Sequence, residues 1–155
     1  AVGCHRVSTP NVFLPGPFVG HRVGLGIALV AVIRHGIVLH GAVPVEEQQV
    51  QRLALEVADL MNDKRIRVVS MPCLKIFDQQ PAEYKSQIIP ERGCMKISIE
   101  AGITHGWEKY IGTNGLAIGI DHFGASAPYK DLAKEFGFTA AKVENKIRDH
   151  LAALL

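Results

Sequence analysis

In the carboxy-terminal two thirds of the chain, stretches whose hydrophobic residues have the spacing of a helix alternate with stretches that have the pattern of a strand. Glu46 and Glu47 follow Pro44 and favour a helix start, because the positive end of a helix dipole stabilises acids. One apolar face then recurs every three or four residues and predicts a helix that ends at Asn62-Asp63. The positions on that face are Val50, Leu53, Ala54, Val57, Leu60 and Met61. A second helix is predicted around 80–87.

Two more helices are predicted near the carboxyl terminus. Pro128 begins the first, and Gly137 closes it at a position that needs a left-handed backbone. Thr139 caps the last helix, whose apolar residues again lie on one face.

Strand patterns stand between the helices. Five strands are predicted, because each segment either alternates apolar and polar residues or is a short apolar run. The segments are 23–33, 37–43, 66–70, 95–101 and 115–121. For 23–33 periodicity alone leaves a helix open. Strands that alternate with helices predict an α/β fold, a three-layer α/β/α sandwich with a mostly parallel sheet.

Residues 1–34 differ from the rest of the chain. They contain Arg6, Arg22 and Arg34 but no acid, since the first acidic residue is Glu46. Prolines and glycines predict an extended arm over 1–22. We therefore treat 1–34 as an unplaced arm or irregular segment, and 35–155 as one α/β domain.

Composition narrows the classes of function. The chain has 155 residues, enough for one domain with a core, and its formal net charge of +2 does not favour nucleic acid or an anionic membrane as a partner. The longest apolar run, 23–33, is too short to cross a bilayer. Cys4, Cys73 and Cys94 are scattered, which favours reduced, inert thiols and a cytoplasmic protein.

The sequence GASAP at 124–128 lies between a strand and a helix, as the nucleophile elbow of a hydrolase does. Pro128 replaces the fifth-position glycine of that motif, so we favour Ser126 as a helix cap. A catalytic set of Ser126, Asp121 and His122 is disfavoured because adjacent side chains on a strand point to opposite faces.

Other local motifs are weak. His105 and Glu108 lack a third metal ligand at a suitable spacing, and the glycines of Gly24-Leu25-Gly26 lack the third glycine of a dinucleotide fingerprint. From these residues we predict no catalytic, cofactor-binding or metal-binding residue in the chain.

From about residue 37, and most clearly from Ile66 to the end, the sequence resembles the carboxy-terminal domain of transketolase. The motifs that carry this likeness are RVVSMP (67–72), FDQQPAEYKSQIIP (77–90), ISIEAGITHGWEKYIGTNG (97–115), IGIDHFGASAP (118–128) and KEFGFTAAKV (134–143).

The resemblance implies an enzyme that transfers two-carbon ketol units between sugar phosphates in the pentose phosphate pathway. In that family thiamine diphosphate and Mg²⁺ bind to two other domains, so this segment is expected to be structural or regulatory and inactive in isolation. The implied partners are the remaining domains or a second subunit of a cytoplasmic homodimer. The alternative is a free-standing α/β binding or regulatory module.

Four residues in glycine-rich turns are expected to serve packing or an interface. Trp107, Tyr110 and Phe123 would anchor the domain on a neighbouring domain or subunit. Glu100 ends a strand, where a buried carboxylate needs partners. Replacing Trp107 with alanine is expected to weaken assembly.

Overall fold

The computed structural model describes residues 26–32, 45–71 and 73–154. Four strands and six helices follow one another within these ranges. They are β1 (Gly26–Val32), α1 (Val45–Leu60), β2 (Ile66–Met71), α2 (Leu74–Asp78), α3 (Ala82–Ile88), β3 (Cys94–Ile99), α4 (Glu108–Ile111), β4 (Leu116–Ile118), α5 (Tyr129–Glu135) and α6 (Ala140–Ala153).

The four strands form one parallel sheet in the order β2-β1-β3-β4. Strand β1 is interior: Leu29 lies opposite Val68 of β2 on one side and opposite Ile97 of β3 on the other. Ile97 in turn pairs with Leu116 of β4. The prediction of a mostly parallel sheet is confirmed, and the carboxyl ends of all strands lie at one edge.

Helices α1 and α6 cover one face of the sheet. Their apolar faces meet the side chains of Met95, Ile97 and Ile99, which alternate along β3. Val57, Val143 and Ile147 are fully buried in this first core. The helical spacing in the sequence therefore marks the buried faces of both long helices, except at Leu60, which is 47% exposed.

Helices α2, α3 and α4 lie over the opposite face and enclose a second core. Its buried residues are Val69, Met71, Ile89, Trp107 and Ile111. Neighbouring residues of β2 point to opposite faces of the sheet, because Val69 is part of the second core and Val68 packs against the first core. Helices on both faces of a parallel sheet make three layers, as predicted.

The observed elements differ from the predictions in their type, presence or length at several places. The segment 23–33, which periodicity left open, contains strand β1. The sequence pattern does not predict helix α2, and strand β4 ends at Ile118, three residues before the end of the predicted strand 115–121. The backbone N–H of Ile120 donates to the carbonyl of Gly102 (2.7 Å), a residue of the loop after β3. The strand expected at 37–43 lies outside the described residues.

Gly137 ends α5 as predicted. Its φ is +81°, which L side chains rarely adopt. The N–H of Phe138 donates to the carbonyl of Ala133 (2.7 Å) and that of Gly137 to Lys134 (3.4 Å), the two bonds of a Schellman motif.

The other predicted end of α5 is wrong. Pro128, not Ser126, occupies the N-cap position, and no side chain caps the helix. Thr139 does stand at the N-cap position of α6, although its side chain makes no capping hydrogen bond.

The boundary between 34 and 35 stays a prediction. Strand β1 lies on its amino-terminal side and pairs with both β2 and β3. In the described part of the chain, none of the helices is both long and apolar enough to cross a membrane.

Candidate functional site

Two loops leave the sheet at the same edge. The loop 100–107 follows β3 and the loop 119–128 follows β4, and these strands are paired neighbours. Glu100, Trp107 and Phe123, three of the four residues singled out from the sequence, lie in these loops. Tyr110 follows in α4. In open parallel sheets this edge is where binding surfaces are usually built.

Glu100 and Trp107 form a buried pair at the base of the first loop. The indole Nε1 of Trp107 donates to Oε2 of Glu100 at 2.6 Å, and these residues are 1% and 5% exposed. A Cβ at Gly102 would lie 3.3 Å from the other carboxylate oxygen, so the loop wraps tightly around Glu100. The Trp107 ring thus packs inside the domain, in the second core.

Tyr110 joins α4 to α2. Its hydroxyl lies 3.0 and 3.1 Å from the two carboxylate oxygens of Asp78, and Lys109 Nζ lies 2.7 Å from one of them. The hydrogen bond from Lys109, followed by that from Tyr110, lowers the pKa of Asp78, while burial and then Asp78 itself raise the pKa of Tyr110. The Tyr110 ring also packs against Phe77 and Trp107. This network fixes the layer of short helices.

Thr104 and Asp121 tie the two loops together. The backbone N–H of Thr104 donates to Oδ1 of Asp121 at 2.7 Å, and its hydroxyl donates to Oδ2 at 2.8 Å. These two bonds, the backbone one first, lower the pKa of Asp121 because they favour the ionised carboxylate. We call this pair the Thr104–Asp121 clamp.

Phe123 lies beyond the clamp and is 99% exposed. All residues from 121 to 131 are exposed, and Ile103, next to the clamp on the other loop, is 52% exposed. A phenylalanine that projects fully into solvent is uncommon, and such residues mark contact surfaces when they stand in a group.

Within the described residues, no hydrogen bond joins the members of the possible hydrolase triad, Ser126, Asp121 and His122. The carboxylate of Asp121 is held by Thr104, and the His122 ring packs edge-on against Phe136, with Nδ1 2.9 Å from the carbonyl of Phe123. Ser126 lies in the exposed loop, eight positions after the end of β4. An elbow would place the serine directly after its strand.

No group of three His, Cys, Asp or Glu side chains within the described ranges is arranged to hold a metal ion. Glu108 instead accepts a hydrogen bond from the backbone N–H of Gly106 (2.9 Å). Cys94 is half-buried, and this burial raises the pKa of its thiol, with smaller opposing effects of Lys96 and Arg67. The absence of a catalytic, cofactor or metal residue stays a prediction, as does the interface role of Glu100, Trp107, Tyr110 and Phe123.

The clamp and Ile103 were missed by the sequence reading. A signal was available, because Thr104 follows the predicted strand 95–101 by three residues and Asp121 ends the predicted strand 115–121. Polar residues that follow neighbouring parallel strands lie at one edge of the sheet. The sequence pattern does not show that β3 and β4 are adjacent in the sheet.

Comparison with known proteins identifies the family. The model of the transketolase-like TK C-terminal domain matches residues 49–139, a stretch that contains both loops. The chain is 52% identical over 80 residues to the chloroplastic transketolase of Solanum tuberosum, which covers 52% of this chain and 11% of that protein. It is 41% identical over 101 residues to transketolase 2 of Pasteurella multocida. This match covers 64% of this chain and 15% of that protein.

A solved structure shows the same architecture. A transketolase mutant from Pichia stipitis, crystallised with fructose-6-phosphate, superposes with a TM-score of 0.66 at 27% identity and covers 85% of this chain. The chain spans 17% of that protein, and 11% and 15% of the two sequence relatives. The family model covers more than half of the chain and agrees with the fold. The chain therefore belongs to the transketolase family, through a domain of the carboxy-terminal type.

Proposed function

We propose that the chain serves as the carboxy-terminal domain of a thiamine-diphosphate-dependent transketolase, as a fragment or as a separate subunit. The complete enzyme would transfer two-carbon ketol units between sugar phosphates in the pentose phosphate pathway. The match of the carboxy-terminal family model over 49–139 carries this proposal. The fructose-6-phosphate bound by the Pichia stipitis relative supports sugar phosphates as the substrate class.

Within that enzyme we assign this domain a structural role. The acidic side chains at the loop edge are engaged by the domain itself: Glu100 by Trp107, Asp121 by Thr104 and Glu108 by Gly106. A thiamine enzyme must hold a diphosphate and a divalent metal. The lack of a group of three His, Cys, Asp or Glu side chains suited to a metal ion among the described residues supports a metal site elsewhere in the enzyme. The other domains would therefore bind thiamine diphosphate and Mg²⁺.

The proposal includes a homodimeric complete enzyme, with the other domains or a second subunit as partners. It also includes a cytoplasmic location, although the Solanum tuberosum relative is chloroplastic by name. One observation favours the alternative of a free-standing binding or regulatory module: the family match begins only at residue 49.

A domain exchange tests the proposal. In the Solanum tuberosum transketolase the carboxy-terminal domain would be replaced by this chain, and ketol transfer between sugar phosphates would be measured. We expect activity within about tenfold of the parent, because a structural domain with the same fold restores packing without touching the substrate. A folded chimera without activity would contradict the proposal, and a version with the domain deleted provides the control.

The isolated chain gives a second readout. Calorimetric titration with thiamine diphosphate and Mg²⁺ is expected to show no saturable binding heat. Clear binding would mean that the amino-terminal third of the chain holds a cofactor site, and the assignment of a structural role would be wrong.

A further inference from the structure

The two loops at the sheet edge present apolar side chains to solvent. Phe123 and Ile103 flank the clamp, and Tyr129, 45% exposed, begins α5 where the second loop ends. We define the docking loops as residues 101–106 and 119–128. Their apolar residues lie on chain segments that the Thr104–Asp121 clamp holds side by side.

The start of the second docking loop is held against the first docking loop. The clamp joins Thr104 to Asp121, and the Ile120-to-Gly102 backbone bond joins the loops one residue earlier in the second loop. A Cβ at Gly119 would lie 2.5 Å from the Gly102 carbonyl, so the two backbones are in direct contact. Phe123 lies two residues after Asp121. The loop therefore already has less conformational freedom next to Phe123, and this lowers the entropy lost when the side chain binds.

The docking loops are also nearly uncharged. Asp121 is the single Asp, Glu, Lys or Arg in 101–106 and 119–128, and its carboxylate is engaged by Thr104. The centres of protein interfaces are depleted in charge and enriched in aromatic residues. A neutral surface around an exposed phenylalanine matches this composition, whereas a phosphate or an acidic ligand would require cations.

We propose that the docking loops bind an uncharged, apolar surface on the preceding domains of the same transketolase, with Phe123 inserted as the anchor. This inference rests on the proposed function. The relatives are five or more times longer than the matched part of this chain, so most of each relative is available to cover the loops. Domains joined in one chain meet at a high effective concentration, which favours this occupant over a second copy.

Hydrogen–deuterium exchange on the chimera described above, compared with the free full chain, tests the docking. Among the described residues, the backbone N–H groups of 122–127 donate no hydrogen bond, so they exchange quickly when the loop is exposed. In the chimera we expect their exchange to slow by at least tenfold. Phe123→Ala combined with Ile103→Ala should remove that protection, since loss of an anchor weakens an interface by about tenfold or more.

The matched control is Leu55→Ala combined with Ile76→Ala, two exposed apolar residues on α1 and α2, outside the docking loops. This control should leave the protection unchanged. Fast loop exchange in an active chimera would overturn the docking and leave the proposed function intact. Protected loops in a chimera without ketol-transfer activity would overturn the proposed function and leave the docking intact. Protection that grows with the concentration of the free chain would identify a second copy as the occupant and overturn the proposal.

Discussion

At the scale of single residues, the hydrogen bond from Trp107 to Glu100 closes the base of the first docking loop. Trp107→Phe removes the donor and part of the ring volume, and we expect it to lower the free energy of unfolding by about 2–4 kcal/mol. Urea unfolding followed by circular dichroism measures the change. Combined with Glu100→Gln, the loss should be smaller than the sum of the two single losses. Strict additivity would show that the two residues act independently.

The placement of Trp107 changes how the expected effect on assembly is tested. Because its ring is buried in the second core, Trp107→Ala would disturb the fold together with any interface. Phe123 contacts solvent and can be changed without removing a core residue. A loss of assembly in Phe123→Ala is therefore the cleaner evidence for an interface.

The clamp should respond to acid. Hydrogen bonds from Thr104 lower the pKa of Asp121 in the folded chain, so the clamp stabilises the fold above the unfolded pKa and loses this contribution as the pH falls through the folded value. Below about pH 4 we expect exchange of the Thr104 amide to accelerate beyond its intrinsic pH dependence. Nuclear magnetic resonance detects this change. Asp121→Asn should abolish it, and an unchanged acid response in this variant would show that another group titrates.

At the scale of elements, the end of β4 depends on a close backbone contact. A Cβ at Gly119 would lie 2.5 Å from the Gly102 carbonyl oxygen and 2.7 Å from Thr104 Cγ2. Gly102 cannot easily retreat because its carbonyl accepts the Ile120 N–H. We expect Gly119→Ala to lower the free energy of unfolding by about 1–3 kcal/mol.

Gly124 in the same loop provides the matched control for that substitution. Nothing lies within 4 Å of a Cβ built there, so Gly124→Ala should change the free energy of unfolding by about 0.5 kcal/mol or less. Thermal unfolding of both variants measures the difference. Equal effects on the free energy of unfolding would show that the loss of glycine from the loop, and not the backbone contact at Gly119, causes the destabilisation.

Elements with a regular spacing could be predicted from the sequence, whereas irregular ones could not. The buried faces of α1 and α6 repeat over several turns, and Gly137 marks the end of α5 through a backbone conformation that favours glycine. Helix α2 is too short for a periodic signal, and Ser126 failed as a cap because proline took the position next to the helix.

The candidate site could be predicted only in part, for a physical reason. Sequence identified Glu100 and Phe123 through their loops but could not tell which aromatic residue would be buried. Trp107 and Phe123 stand in similar glycine-rich turns, yet one is enclosed and the other projects into solvent. The difference arises from α2, α3 and α4, which cover the Trp107 side of the sheet and not the tip of the second loop.

At the scale of the whole molecule, the two cores share one sheet. Along β2, Val68 packs against the core under α1 and α6, while Val69 and Met71 lie in the core on the other face, together with Trp107. Strand β2 therefore cannot leave one core without disturbing the other. We infer that the described domain unfolds as a single cooperative unit.

Ile147→Ala tests this cooperativity from a distance. Ile147 is fully buried between α6 and α1, so its truncation should lower the free energy of unfolding by about 2–4 kcal/mol. Trp107 is the only tryptophan in the chain and reports on the opposite core. In urea, the midpoints seen by tryptophan fluorescence and by circular dichroism should therefore fall together, while Leu55→Ala, on the exposed side of α1, leaves both in place. If the fluorescence midpoint stays where it is and the circular dichroism midpoint falls, the layers unfold separately.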